Sequence, residues 1–138
     1  MKTNKQPESH ETPLDSLIGL TILAVWRDEE SQLLWLDHLN GKICFQANGD
    51  FCSVSWFNHL EGIENLIGGK ILSVMKHEEK GEEGTRDDWD RIYGFTIDTN
   101  KGSCHIELRN SSNGYYGGYI VQSPYSMDES AVRVLSDF

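Results

Sequence analysis

Leu17-Ile18-Gly19-Leu20-Thr21-Ile22-Leu23-Ala24-Val25 returns 49 residues later as Leu66-Ile67-Gly68-Gly69-Lys70-Ile71-Leu72-Ser73-Val74, with six of the nine positions identical. The flanks repeat too. Leu14-Asp15-Ser16 precedes the first copy and Ile63-Glu64-Asn65 the second, an apolar residue, an acid and a small polar residue in the same order. After each copy come a charged stretch, an apolar run and a turn signal, Asn40-Gly41-Lys42 in one and Asn100-Lys101-Gly102 in the other. Each then reaches an Asn-Gly, at Asn48-Gly49 and Asn113-Gly114, and the second copy is some sixteen residues longer. Two copies are too few for a solenoid. The pattern predicts one α+β domain of two tandem, pseudo-equivalent antiparallel β units, about 14–57 and 58–122, with a C-terminal extension over 123–138.

Each unit has the same local grammar. Thr12 suits an N-cap, Pro13 the first helical position and Gly19 a C-terminal stop. In the second unit Asn58 and Glu61 match a capping box, and Leu60, Ile63 and Ile67 share a helical face that ends at Gly68. Strands are expected over 20–27 and 70–77. Hairpins are expected at 33–38 with 42–46, and at 91–99 with 103–109, with the Asn-Gly type of turn between them. Alternation in Tyr93-Gly94-Phe95-Thr96-Ile97-Asp98 and Cys104-His105-Ile106-Glu107-Leu108-Arg109 gives one buried and one wet face. It puts Ile22, Leu34, Ile71, Phe95, Ile97, Ile106 and Leu108 in the core. Further strands are expected over 51–57 and 118–122. Ser126 and Glu129 form a capping-box pattern, so the tail over 126–135 is expected to be a short helix, with Val132-Arg133-Val134 as an edge strand the other option.

The chain has 138 residues, one domain's worth. Its net charge of −10 argues against direct binding to nucleic acid or an anionic membrane, which needs clustered cations. No apolar run approaches a membrane span. The first thirteen residues have no apolar segment of a secretory signal and are expected to be a disordered lead-in. Three cysteines, Cys44, Cys52 and Cys104, with no CxxC pair, predict free thiols and a cytoplasmic protein.

Two segments stand out chemically. Residues 78–90 hold seven acids against Lys80 and Arg86, and they sit where the second unit is longer. Glu82, Glu83, Asp87 and Asp88, with Trp89 as an aromatic anchor, are the expected contact with a basic partner surface. The plain alternative is a solvated hairpin tip. A calcium loop is disfavoured, because the spaced ligands and mid-loop glycine of an EF-hand are missing. The second segment is Arg109-Asn110-Ser111-Ser112-Asn113-Gly114-Tyr115-Tyr116-Gly117-Gly118-Tyr119. Asn110, Asn113, Tyr115 and Tyr116 are its candidate contact residues; the alternative is a loop that folds over the sheet and buries its tyrosines. Cys104 and His105, adjacent on a strand, point to opposite faces and form no dyad. No zinc spacing and no complete phosphate loop occurs, so no metal and no cofactor is expected.

Gly49-Asp50-Phe51-Cys52-Ser53 followed by Trp56, the Leu-Ile-Gly of each half, and the segment from Arg109 to Gly118 together resemble a family of small uncharacterised bacterial and phage proteins, over about residues 14–122. In that family's pattern Gly-Asp is followed by two cysteines. Phe51 occupies the first here, so a metal or redox role for the pair does not carry over. The resemblance implies no activity. With the charge, it favours a non-enzymatic acidic protein-binding module, of the kind exemplified by a phage inhibitor that engages a basic, nucleic-acid-binding surface of a host protein. The other reading is a small-molecule binder or enzyme with a pocket between the two halves.

Overall fold

The computed structural model describes residues 11–138. The expected disordered lead-in falls, for residues 1–10, outside the described residues. Thr12 Oγ1 accepts the Leu14 N–H at 2.9 Å and Asp15 Oδ2 accepts the Thr12 N–H at 3.2 Å, which caps a single 3-10 turn over Pro13–Leu17. The strands are β1 (Ala24–Asp28), β2 (Leu33–His38), β3 (Gly41–Gly49), β4 (Val54–Glu61), β5 (Ile71–Lys76), β6 (Lys80–Glu83), β7 (Trp89–Thr99), β8 (Gly102–Ser112), β9 (Gly118–Ser123) and β10 (Val132–Arg133). One helical turn, α1 (Ile63–Leu66), precedes β5. Sheet one runs β10-β1-β2-β3-β9 and sheet two β4-β8-β7-β5, with β6 also paired to β7.

The two halves are equivalent in register. Val25, Trp26 and Arg27 face Leu36, Trp35 and Leu34, as Val74, Met75 and Lys76 face Ile97, Thr96 and Phe95. Their fourth strands are exchanged: β4 leaves the first half to pair with β8, and β9 leaves the second to pair with β3. Neither half therefore completes a sheet from its own residues.

The repeated nonapeptides meet where the halves join. The Gly19 N–H donates to the Ile71 carbonyl at 2.8 Å, and the Gly68 N–H to the Ile22 carbonyl at 2.6 Å. The Ile71 N–H donates to Leu20 at 2.9 Å, and the Ile22 N–H to Gly69 at 3.1 Å. Interchanging the two copies turns each bond into its mate, with Thr21 and Lys70 paired in the middle. Gly19 and Gly68 take φ of +93° and +82°, which L side chains rarely adopt, so the repeated glycine is required for the chain to turn into this junction.

Between the sheets lies one apolar cluster. Val25, Leu34, Phe45 and Ile120 from sheet one meet Phe57, Phe95, Ile97, Ile106 and Leu108 from sheet two, with Leu17, Leu66, Ile22 and Ile71 closing it at the junction. All seven core residues expected from the alternation are buried. A smaller cluster, Leu33, Trp35 and Cys44, lies on the outer face of sheet one beneath Met127 and Ala131, and Trp35 Nε1 donates to the Tyr125 carbonyl at 3.0 Å. The run Leu33-Leu34-Trp35-Leu36 is apolar without alternation because β2 is covered on both faces.

Several expectations are corrected. The domain is β-rich with little helix rather than clearly α+β. The capping-box helix from Asn58 does not form: β4 stays paired with β8 as far as Glu61 opposite His105, and only Ile63–Leu66 is helical. Backbone pairing to a sheet with a buried face outweighs the weak local signal. The hairpin loops are Leu39-Asn40 and Asn100-Lys101, and the positive φ falls on the following Gly41 and Gly102. The tail is not a helix. Val132 and Arg133 add to the free edge of β1, and Val134, buried, donates to the Val25 carbonyl at 2.9 Å. Further on, Phe138 and Leu60 exchange two backbone hydrogen bonds, and Asp137 Oδ1 accepts the Gly62 and Ile63 N–H groups at 3.0 and 2.9 Å. An edge with unpaired backbone groups offers the tail more hydrogen bonds than one isolated helical turn does.

Two measurements check this arrangement. Leu108→Ala should cost about 2–5 kcal/mol in denaturant titration, a transfer loss plus a cavity; a cost near zero would place Leu108 on the wrong face. Burial pushes the Cys44 thiol up to about 11 and the Cys104 thiol up to about 12, whereas Cys52 is exposed. One thiol should therefore react in the native protein at pH 8, and three after denaturation without reductant.

Candidate functional site

The acidic segment is a hairpin in which Glu82 and Glu83 of β6 face Asp90 and Trp89 of β7. Much of its charge turns inward. Asp90 is fully buried, and its Oδ2 accepts Arg109 Nε at 2.6 Å and the Thr85 hydroxyl at 2.8 Å. Arg109 also pairs with Glu82, and Arg91 pairs with Glu79 at 2.6 Å. Burial by itself raises the Asp90 carboxyl, but the hydrogen bonds from Arg109 and Thr85, with the Ser111 hydroxyl close by, outweigh it and hold the group below the ordinary aspartate range. Thr85 thus ties the 84–88 loop down over the outer face of sheet two, and Arg86 lies 4.1 Å from the centre of the Trp56 ring on β4. Glu83, Asp87 and Asp88 stay exposed, and Trp89 is 41% exposed. Gly81 makes room for the Trp89 indole, since a Cβ there would come within 2.6 Å of Nε1.

The Asn/Gly/Tyr segment lies beside it, because β7 and β8 pair Trp89 with Ser112. Its loop is held at many points. Ser112 Oγ accepts the Gly114 N–H at 3.0 Å, Asn113 Oδ1 accepts the Tyr115 N–H at 3.0 Å, and Arg91 donates to the Gly114 carbonyl at 2.8 Å. The Gly118 N–H donates to the Tyr93 hydroxyl at 3.0 Å. The loop folds over the sheet yet leaves Tyr115 85% exposed and Tyr116 half-buried.

A third loop, 50–53, completes the surface. The Asp50 N–H donates to the Gly117 carbonyl and the Gly117 N–H to Asp50 Oδ2, both at 3.0 Å. This loop carries Phe51, 84% exposed. Loops 50–53, 84–88 and 113–117 therefore converge at one end of the sandwich, where they present Phe51, Trp89 and Tyr115 beside Glu83, Asp87 and Asp88. The sequence reading missed Phe51, which it placed at the start of a strand. The turn is closed by the Ser53 N–H on the Asp50 carbonyl, directly after Asn48 and Gly49 end β3, and the Gly49-Asp50 pair is the signal that could have placed Phe51 in a loop.

Asn110 has a different role. It is fully buried, and its Nδ2 donates to the Ser53 and Ser55 hydroxyls at 3.0 and 2.8 Å. The backbone of the facing sheet comes so close that a Cβ at Gly49 would stand 2.7 Å from that nitrogen. Asn110 is thus an interior contact between the halves, whereas Asn113 and Tyr115 are exposed.

The outer face of sheet two holds a separate groove of about 510 Å³ over Gly94, with His59, His77, His105 and Glu107 on its walls. The Thr96 hydroxyl lies 2.5 Å from His77 Nε2 and 2.9 Å from His105 Nδ1. Asn58 donates to Glu107 at 2.6 Å and accepts from Trp56 Nε1 at 3.1 Å. Among the described residues no group of three or more His, Cys, Asp or Glu is placed to hold a metal ion, and no helix is long and apolar enough to cross a membrane.

The Asp90 cluster predicts a pH dependence. With its folded value below the unfolded value of about 3.9, the carboxylate's contribution is complete above that pH and is lost as the pH falls through the folded value. Asp90→Asn should be less stable than the parent at pH 7, with the gap narrowing below about pH 4 in denaturant titrations. A gap constant from pH 7 to pH 2 would show that the charge of Asp90 does not hold the cluster together.

No curated protein and no solved structure matches the chain. A family model described as a domain of unknown function, DUF7448, matches residues 12–122. That span runs from the N-cap of the first turn through β9 and includes all three loops of the end surface. With most of its length inside the match, the chain belongs to the DUF7448 family.

Proposed function

We propose that this chain is a non-enzymatic protein-binding module whose loop end engages a basic surface of a partner protein. The observation that carries this reading is the convergence of three loops, two bonded to each other and the third tied to Asp90, beside which Phe51, Trp89 and Tyr115 are exposed next to Glu83, Asp87 and Asp88. Aromatic side chains on a backbone already fixed lose little entropy on binding and make good anchors. The acids at the rim speed the encounter with a cationic surface and select for it. Glu82 contributes indirectly, since its pairing with Arg109 helps hold the hairpin.

The charge of −10 favours, as a partner, a protein with a nucleic-acid-binding groove, in the manner of a phage inhibitor of a host factor. A bacterial or phage origin and a reduced, cytoplasmic setting belong to the same reading, the latter supported by three thiols that form no disulfide. The shared register of the two halves supports their descent from one duplicated unit. A small-molecule function is the second reading; the groove over Gly94 would support one, but on the outer face of sheet two and not in the pocket between the halves that the sequence suggested.

The experiment is to identify the partner by affinity capture and mass spectrometry, then measure binding kinetics. Trp89→Ala, Tyr115→Ala and Phe51→Ala should each raise the off-rate about tenfold, in line with hot-spot losses above about 1 kcal/mol. Replacing Glu83, Asp87 and Asp88 by Gln and Asn should slow association and flatten its salt dependence. Unchanged kinetics in both sets, with native circular dichroism, would remove the loop end as the binding surface.

A further inference from the structure

We propose that the free edge of β5, residues 74–76, is a strand-acceptor site for an extended partner segment in which apolar and basic residues alternate. The warrant is the pseudo-symmetry. The edge of β1 carries β10, with Trp26 opposite Arg133, Arg27 opposite Val132, and the Val25 carbonyl accepting the Val134 N–H at 2.9 Å. β5 is the counterpart of β1, in the same register against its neighbour. The Val74 carbonyl and N–H therefore lie on the side away from β7, as those of Val25 lie away from β2. Among the described residues no strand pairs there.

Burial records the missing neighbour. Val25 is fully buried whereas its mate Val74 is half-buried, and Met75, the mate of Trp26, is 53% exposed. Such an edge is normally shortened or charged to prevent uncontrolled pairing. Lys76 does this at one end, and the Ile71 carbonyl and N–H are already taken by Gly19 and Leu20 at the other. The result is a short acceptor of about three residues.

The occupant follows from the strand already seated on the equivalent edge. Just after β10, Val134 enters the core margin, while the Arg133 guanidinium within it lies 5.5 Å from the centre of the Trp26 ring. On the β5 side the corresponding positions offer Val74 and the exposed Met75. The edge continues along β6, where Glu78 and Glu83, the acids not paired with Arg91 or Arg109, stand against Lys80. A segment with arginine between apolar residues matches both features. A second copy of this chain would instead bring another net charge of −10 to the contact. Glu83 borders both this site and the loop end, but Val74 belongs to this one alone and Phe51, Trp89 and Tyr115 to the other, so variants at those positions can fail separately.

The test uses the full chain and a fluorescein-labelled peptide, Val-Arg-Val-Arg-Val-Arg-Val. Saturable binding is expected by anisotropy, with amide exchange slowed at Val74 and Lys76. N-methylating alternate amides of the peptide leaves its charge unchanged but removes one hydrogen-bonding edge, and should weaken binding at least tenfold. Val74→Pro, which removes an outward N–H at an edge where proline is tolerated, should do the same while keeping the parent's circular dichroism. Equal binding of the N-methylated peptide, full binding by folded Val74→Pro, protection located away from residues 72–76, or a dimer of this chain that protects the same amides would each overturn the assignment.

Discussion

The four reciprocal hydrogen bonds between residues 19–22 and 68–71 are the constraint from which the rest of the architecture follows. They form only if both copies turn at a glycine with positive φ and then run antiparallel past one another. Once Gly19 meets Ile71 and Gly68 meets Ile22, β1 and β5 leave the junction into different sheets, and Leu17, Leu66, Ile22 and Ile71 are sealed beneath it. Each repeated residue type has a stated task here: glycine for the turn, leucine and isoleucine for the seal.

Strand exchange makes the two halves interdependent. β4 and β9 each lie in the sheet founded by the other half, so the core cannot close around one unit alone. At the far end of the sandwich the halves meet again, with the Asn110 side chain of sheet two filling the space that Gly49 leaves in sheet one. The Asn110 amide nitrogen is served there by the Ser53 and Ser55 hydroxyls. The small residues Gly49, Ser53 and Ser55 are therefore partly matters of packing, and the 50–53 loop between them is positioned by that packing.

The halves differ where the second is longer and in the stretch after β9. The longer stretch builds β6 and the 84–88 loop, and its ion pairs with Arg91 and Arg109 convert an acidic stretch into a folded rim. The extension after β9 covers Trp35, caps the edge of β1 and closes on β4 and α1 through Phe138 and Asp137. Among the described residues β1 alone gains such a cover, and the equivalent margin of β5 keeps the unpaired backbone that an antiparallel edge presents.

By itself the sequence determined the repeat, the strand pattern, the core residues and the acidic and Asn/Gly/Tyr segments, because these depend on periodicity, turn chemistry and local charge. Ile97 and Leu108 could be assigned to the core from alternation, and Gly19 and Gly68 to turns from their position after an apolar pattern. Tertiary structure alone decided which strands pair. Exchange of β4 and β9 leaves every local pattern unchanged, since a strand's alternation records that one face is buried and not which neighbour lies beside it. The same holds for Asn58 to Glu61, whose helical signal yielded to a ladder with β8, and for the tail, whose edge pairing with β1 required an acceptor more than a hundred residues earlier in the chain. Phe51, Trp89 and Tyr115, distant in sequence, came to one surface only because the pairing of β3 with β9 and of β7 with β8 brings their loops to the same end. Long-range pairing is set by the shared core and the junction, and no local stretch of sequence encodes it.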